Sequence, residues 1–288
     1  MIKKAVIPAA GLGTRVLPAT KSTPKEMLPI VDKPAIQYIV EEAAASGITD
    51  ILIIISRGKT TVEDHFDRSP ELEERLLSGG KTKVYDEITA ISNLANITYV
   101  RQHTPLGLGH AVLCAKSFIG SEPFAVLYGD DVIIGKNPVC KQLMDAYDKY
   151  GLASVGIKEV SPEDIVKYSS MQVERIKDNH YKITDMIEKP SPDKIMSLFS
   201  ILGRCVLPPE IFGILETLPP GAGGEIQLTD AMKKLAVRDG MTGVDFIGKR
   251  YDMGSKLGIL QAIVEVGLDH NEIGREFRDY LKQIAVGL

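Results

Sequence analysis

The chain opens with Lys4-Ala5-Val6-Ile7-Pro8-Ala9-Ala10-Gly11-Leu12-Gly13-Thr14-Arg15, and a second segment, Pro24-Lys25-Glu26-Met27-Leu28-Pro29, follows closely. A short apolar strand that runs into Gly-x-Gly can bend tightly and turn its backbone N–H groups towards phosphate oxygens. Arg15 and Lys25 add mobile positive charge over the same anion. The pairing points to a nucleoside triphosphate site, whereas Gly-x-Gly alone also fits an ordinary strand-to-loop turn. Two common phosphate sites are disfavoured by spacing. The dinucleotide fingerprint needs a third glycine where Val16 stands, and no acidic residue closes a following strand at the expected distance. The Walker loop needs four residues between its glycines and then Gly-Lys-Ser/Thr, which this segment lacks.

Outward from that stretch, Pro34 opens a helix with apolar residues at Ile36, Ile39, Val40, Ala43 and Ala44, and Gly47 closes it. The branched-aliphatic run Ile51-Leu52-Ile53-Ile54-Ile55 then reads as a strand buried on both faces, so the opening is a βαβ unit of a parallel sheet. Further strands are expected near Ile97–Arg101 and Phe124–Tyr128, with helices near Ala111–Ser117 and Pro138–Tyr150. Pro70–Ser78 reads as an exposed helix before a Gly79-Gly80 turn. Beyond Ala153 the pattern shifts to strands near Ala153–Val160, Met171–Arg175 and Tyr181–Ile187, followed by helices at Ile226–Val237 and Leu257–Val266. The second half is therefore expected to add mixed sheet. No Gly/Ser-rich or Pro-rich linker divides the halves, so one domain over 1–288 is expected: an α/β half (1–150), a mixed-sheet lobe (151–270) and a C-terminal amphipathic helix (271–288).

The bulk properties exclude several classes. With 288 residues the chain can bury a sizeable core, and its net charge of −4 includes no long Lys/Arg block of the kind that binds nucleic acid or a membrane surface. Cys114, Cys140 and Cys205 are far apart and form no C-x-x-C pair, which argues against a disulfide framework or zinc site. No run approaches membrane-spanning length, and Gly11 ends the first apolar stretch too soon for a secretory core. A cytoplasmic protein is expected. The five histidines show no metal-ligand spacing.

Candidate chemistry lies elsewhere. Gly129-Asp130-Asp131 follows directly on the strand Phe124–Tyr128, at the carboxyl edge where open α/β sheets bind ligands. Hard carboxylate oxygens beside phosphates suit Mg²⁺, although a helix cap or solvated turn fits the same tripeptide. Asp252 precedes a helix and by itself reads first as a cap rather than a ligand. Glu188-Lys189-Pro190 could accept sugar hydroxyls and hold a phosphate, or form a surface ion pair. Glu225-Ile226-Gln227-Leu228-Thr229-Asp230 looks first like a helix beginning.

In this order these motifs, together with Gly107-Leu108-Gly109-His110-Ala111-Val112, Pro219–Gly223 and Asp252-Met253-Gly254, resemble the nucleotide-sugar pyrophosphorylases, most closely the bacterial UTP–glucose-1-phosphate uridylyltransferases. The resemblance implies an α/β, Rossmann-like mixed, mainly parallel sheet flanked by helices, and UMP transfer from UTP to glucose 1-phosphate. It implies that Ala10, Gly11, Leu12, Gly13 and Glu26 serve the nucleotide, that Arg15 and Lys25 act on the departing pyrophosphate, and that Gln102 and Gly107 read the base. Asp130 and Asp252 would hold Mg²⁺; Glu188, Lys189, Ser169 and Gly203 would serve the sugar phosphate, with Lys189 also catalytic. A homodimer or homotetramer is implied too. Two positions depart from the family pattern: Tyr168-Ser169-Ser170 stands where Tyr-Gly is usual, and Leu198 where an asparagine is. Sugar choice is thus less tightly specified than nucleotide choice. The rivals are the same chemistry on another pair such as dTTP, a non-catalytic nucleotide-sugar binding protein, and a nicotinamide oxidoreductase.

Overall fold

A computed structural model describes residues 2–287; Met1 and Leu288, the ends of the expected domain, lie outside the described residues. In chain order the strands are β1 (Lys4–Pro8), β2 (Pro29–Ile30), β3 (Lys33–Pro34), β4 (Asp50–Ile55), β5 (Asn96–Arg101), β6 (Phe124–Leu127) and β7 (Asp131–Ile134). They continue as β8 (Ser154–Glu159), β9 (Ser169–Lys177), β10 (His180–Glu188), β11 (Phe199–Leu207), β12 (Met241–Asp245) and β13 (Lys249–Asp252). Nine of these form one sheet in the order β5-β4-β1-β6-β11-β8-β12-β10-β9. The first four are parallel, and β11 and β10 alone run against the rest, so the sheet is mixed and mainly parallel as expected.

Strand pleating divides the core. Ala5, Ile7, Ile51, Ile53 and Ile55 face the helices Ala35–Ala45 and Val139–Tyr150. Val6, Leu52 and Ile54 face the helices Leu108–Leu113, Ile211–Thr217 and Leu228–Asp239. Side chains alternate across a strand, and here both faces are covered, which is why these runs are aliphatic throughout.

The structure corrects several expectations. The helix near Ala111–Ser117 is two shorter ones, Leu108–Leu113 and Lys116–Ile119. Helices at Thr60–Phe66, Thr82–Ile91 and Ile211–Thr217 and strands β11, β12 and β13 were not anticipated. In β11 the apolar run is interrupted by Gly203 and Arg204, which hid a central strand. Arg204 is 1% exposed because Glu42, on the helix Ala35–Ala45, takes its guanidinium at 2.7 Å. Between Ile201 and Cys205 the β11–β8 register slips, and this bulge carries Gly203 at φ 72.

Candidate active site

Beyond the carboxyl end of β6 lies a cleft of about 570 Å³ whose lining includes Arg15, Asp130, Asp252, Arg250, Glu188 and Lys189. Segments far apart in sequence therefore converge. A wider cleft of about 840 Å³, near Glu265 and His270, holds neither Arg15 nor these aspartates.

The glycine loop is built as its residues require. Gly13 takes φ 67, a left-handed conformation, and its carbonyl accepts a bond from Thr20 Oγ1 at 2.7 Å. A Cβ on Gly11 would lie 3.6 Å from Lys25 Nζ, so the lysine ammonium stands beside the loop. Ala10 is buried and Leu12 exposed. Lys25 Nζ bonds Asp130 Oδ2 at 2.5 Å, while the Arg15 guanidinium lies 3.8 Å from Asp130 and 3.7 Å from Asp252. Burial works against charge on Lys25, but Asp130 and Glu26 outweigh it and raise its pKa. Burial likewise opposes ionisation of Asp130, yet Lys25 and Arg15 hold its carboxyl below the ordinary range.

The two aspartates owe their approach to a ribbon: β7 and β13 pair antiparallel with Asp131 opposite Asp252, and Met253 N donates to Asp130 O at 2.8 Å. Arg250 crosses the ribbon to Asp131 at 2.5 Å and lies over the Tyr168 ring. Burial, against the pull of Arg250, lifts the Asp131 pKa to about 6, which leaves it ionised at neutral pH. Gly203 packs behind this carboxylate, and a Cβ there would come 2.6 Å from that of Asp131. Among the described residues no group of three or more His, Cys, Asp or Glu gathers as a metal cluster.

Across the cleft, Glu188 ends β10 and accepts a bond from Thr229 Oγ1 at 2.8 Å; burial raises its pKa despite that bond. Lys189 holds φ 46, an uncommon left-handed conformation for a side-chain-bearing residue, with its N–H on Tyr168 O at 2.7 Å. Ser169 lies in the cleft lining but is 3% exposed. Its hydroxyl lies 3.3 Å from that of Ser200 and accepts from Ile201 N at 3.1 Å, so the added side chain turns into the protein. Gln102 Nε2 donates to Gly107 O at 3.0 Å and to His110 Nδ1 at 2.9 Å, so both its amide hydrogens are taken within the protein. Gly107, at φ 105, lies against Glu225 and Ile226, where a Cβ would clash. Glu26 is fully buried and absent from the cleft lining; it pairs with Lys59 at 2.7 Å. Lys59 and Arg250 went unremarked in the sequence, since a single cation outside a motif carries no local signal, and Thr229 was read there only as part of a helix beginning.

A glycine loop under two cations, with paired carboxylates at the edge of a mainly parallel sheet, is an apparatus for handling nucleotide phosphates. The chain belongs to the nucleotidyl transferase family, whose model matches residues 4–267. It is 54% identical to the UTP–glucose-1-phosphate uridylyltransferase YngB of Bacillus subtilis, over 98% of this chain and 95% of that one. Identity to a second UTP–glucose-1-phosphate uridylyltransferase of the same organism is 49%, over 100% and 97% of the two chains. Among solved structures, a UTP-bound UGPase from Acinetobacter baumannii superposes with TM-score 0.91 at 40% identity, covering 98% of this chain and 99% of that one. A UDP-glucose pyrophosphorylase complexed with UDP-glucose gives 0.85 at 43%, over 94% and 100%.

Proposed function

We propose that this chain transfers UMP from UTP to glucose 1-phosphate, giving UDP-glucose and pyrophosphate: the activity of a UTP–glucose-1-phosphate uridylyltransferase. The observation that carries the reading is the meeting, in one cleft, of Arg15, Asp130 and Asp252 from the glycine-loop side with Glu188 and Lys189 opposite. A phosphate oxygen of glucose 1-phosphate attacks the α-phosphorus of UTP in line, forming one P–O bond while the bond to the β-phosphate oxygen breaks. The attacking phosphate is already ionised near neutral pH, so no general base is needed, and catalysis rests on positioning and charge stabilisation.

In this reading Ala10, Gly11, Leu12 and Gly13 hold the nucleotide backbone-first, and Gln102 with Gly107 reads uracil. Arg15 and Lys25 neutralise the departing pyrophosphate. Lys189 holds the sugar phosphate and Glu188 accepts sugar hydroxyls, with Ser169 and Gly203 shaping that end from behind. Mg²⁺ fits the donor set, because Asp130 and Asp252 both face the single guanidinium of Arg15 and are therefore aimed at one cationic position. When bound, the ion supplies charge neutralisation and polarises phosphoryl oxygen. Residues 1–288 act as one cytoplasmic catalytic domain, assembled as a homodimer or homotetramer.

The test is pyrophosphate release from UTP and glucose 1-phosphate with Mg²⁺, run beside an Asp130→Asn variant and an EDTA control. Release that chelation abolishes, and that the variant loses by about 10²-fold or more while remaining folded, supports the reading. Undiminished release by the variant would remove Asp130 from the chemistry. Tight UDP-glucose binding without turnover would favour a binding protein.

A further inference from the structure

Lys59 belongs to none of the motifs that mark the site, yet it is 6% exposed and its ammonium is held by two partners. It follows the carboxyl end of β4 and precedes the helix Thr60–Phe66. From there its Nζ donates to two groups: the carbonyl of Ala9, at the exit of β1 two residues before Gly11, and Glu26 Oε2 at 2.7 Å. Glu26 is the residue after Lys25, and the second oxygen of its carboxylate is buried with no hydrogen-bond partner among the described residues. One ammonium thus ties together the two segments whose relative placement sets the phosphate site: the glycine loop and the segment carrying Lys25.

A buried ion pair is poor evidence for stability, because removing two charges from water costs several kcal/mol and an apolar pair of similar volume commonly does as well. Lys59 and Glu26 obey that arithmetic unfavourably. Burial lowers the lysine's pKa and raises the glutamate's in spite of their contact, so each pays for its charged form. What the pair does supply is geometry. Lys25 bonds Asp130 at 2.5 Å and lies 3.6 Å from where a Cβ on Gly11 would be, a spacing that a shift of about 1 Å would spoil.

We propose that Lys59, clamped between Ala9 O and Glu26, is a positioning residue for the nucleotide half of the site, setting the glycine loop against Lys25. This rests on the uridylyltransferase reading above. Lys59 is absent from the cleft lining, and its loss is expected to act on UTP and to leave the sugar-phosphate end, built on β9 and β10, undisturbed.

The experiment compares wild type, Lys59→Met and the double variant Glu26→Gln/Lys59→Met in the forward reaction, with thermal unfolding measured on each. Lys59→Met leaves a buried, unpaired carboxylate and is expected to melt lower. The double variant removes that charge and regains most of the melting temperature, but the link to Ala9 is still missing. Its KM for UTP is therefore expected about tenfold or more above wild type, with the KM for glucose 1-phosphate within about twofold. A double variant whose KM for UTP returns to the wild-type value together with its melting temperature would overturn the proposal and leave Lys59 a stability residue. Equal rises in both KM values would overturn it as well. Should wild type itself release no pyrophosphate, the uridylyltransferase reading has failed; wild-type turnover with an unshifted variant means that the clamp alone has failed.

Discussion

Single residues divide into those that act and those that hold. Lys189, which the proposed reaction sets on the sugar phosphate, is the candidate of the first kind, because its backbone adopts a conformation that a side-chain-bearing residue enters at a cost of about 1–3 kcal/mol. A glycine would sit there without strain, so a purely structural role would favour Lys189→Gly. The variant is expected to melt at or above the wild-type temperature while turnover falls about 10²-fold, since the ammonium that the proposed reaction sets on the sugar phosphate is gone. Steady-state kinetics beside calorimetry checks both halves, and a variant with full turnover would take Lys189 out of the reaction. Ser169 illustrates the holding class. In sequence it looked like an intrusion into the sugar site, whereas its hydroxyl is bonded to Ser200 and the Ile201 N–H.

At the scale of elements, the bulged strand β11 connects the core to the aspartates. Arg204 bonds Glu42 and, at 2.8 Å, the carbonyl of Gly203; that carbonyl also takes the N–H of Tyr128, two residues before Asp130. Glu42 in turn accepts the N–H of Cys140 at 2.9 Å, so one buried pair anchors strand, loop and helix. Arg204→Met leaves Glu42 uncompensated and is expected to cost about 3–5 kcal/mol in denaturant titration, and Glu42→Gln added to it should recover a large part. Non-recovery in the double variant would mean that the packing volume of Arg204, not its charge, matters most. None of this was legible beforehand: an arginine in an apolar run signals an exposed edge until its partner, 162 residues away, is known.

For the whole molecule, the two halves share one sheet and enclose one cleft, so a bound nucleotide is a stability term for the entire fold. UTP at a hundred times its Kd is expected to add about 2.7 kcal/mol, read as a rise in Tm of several degrees. NAD at the same concentration should give no shift, and a shift of equal size would revive the oxidoreductase alternative.

The chain's local chemistry alone determined the βαβ opening, the covered parallel strands, the glycine loop with Arg15 and Lys25, and the acidic tripeptide at a strand end. Each follows from short-range rules: side-chain alternation, positive-φ glycines, and the need of a strand buried on both faces for continuous aliphatics. Tertiary structure alone decided which charged groups meet. The β7–β13 ribbon sets Asp131 opposite Asp252, Arg250 crosses to Asp131, and Lys59 reaches from behind to Ala9 and Glu26. Pairing energies depend on distances between residues remote in sequence and on the burial that raises or cancels their charge, and neither quantity exists until the chain has folded.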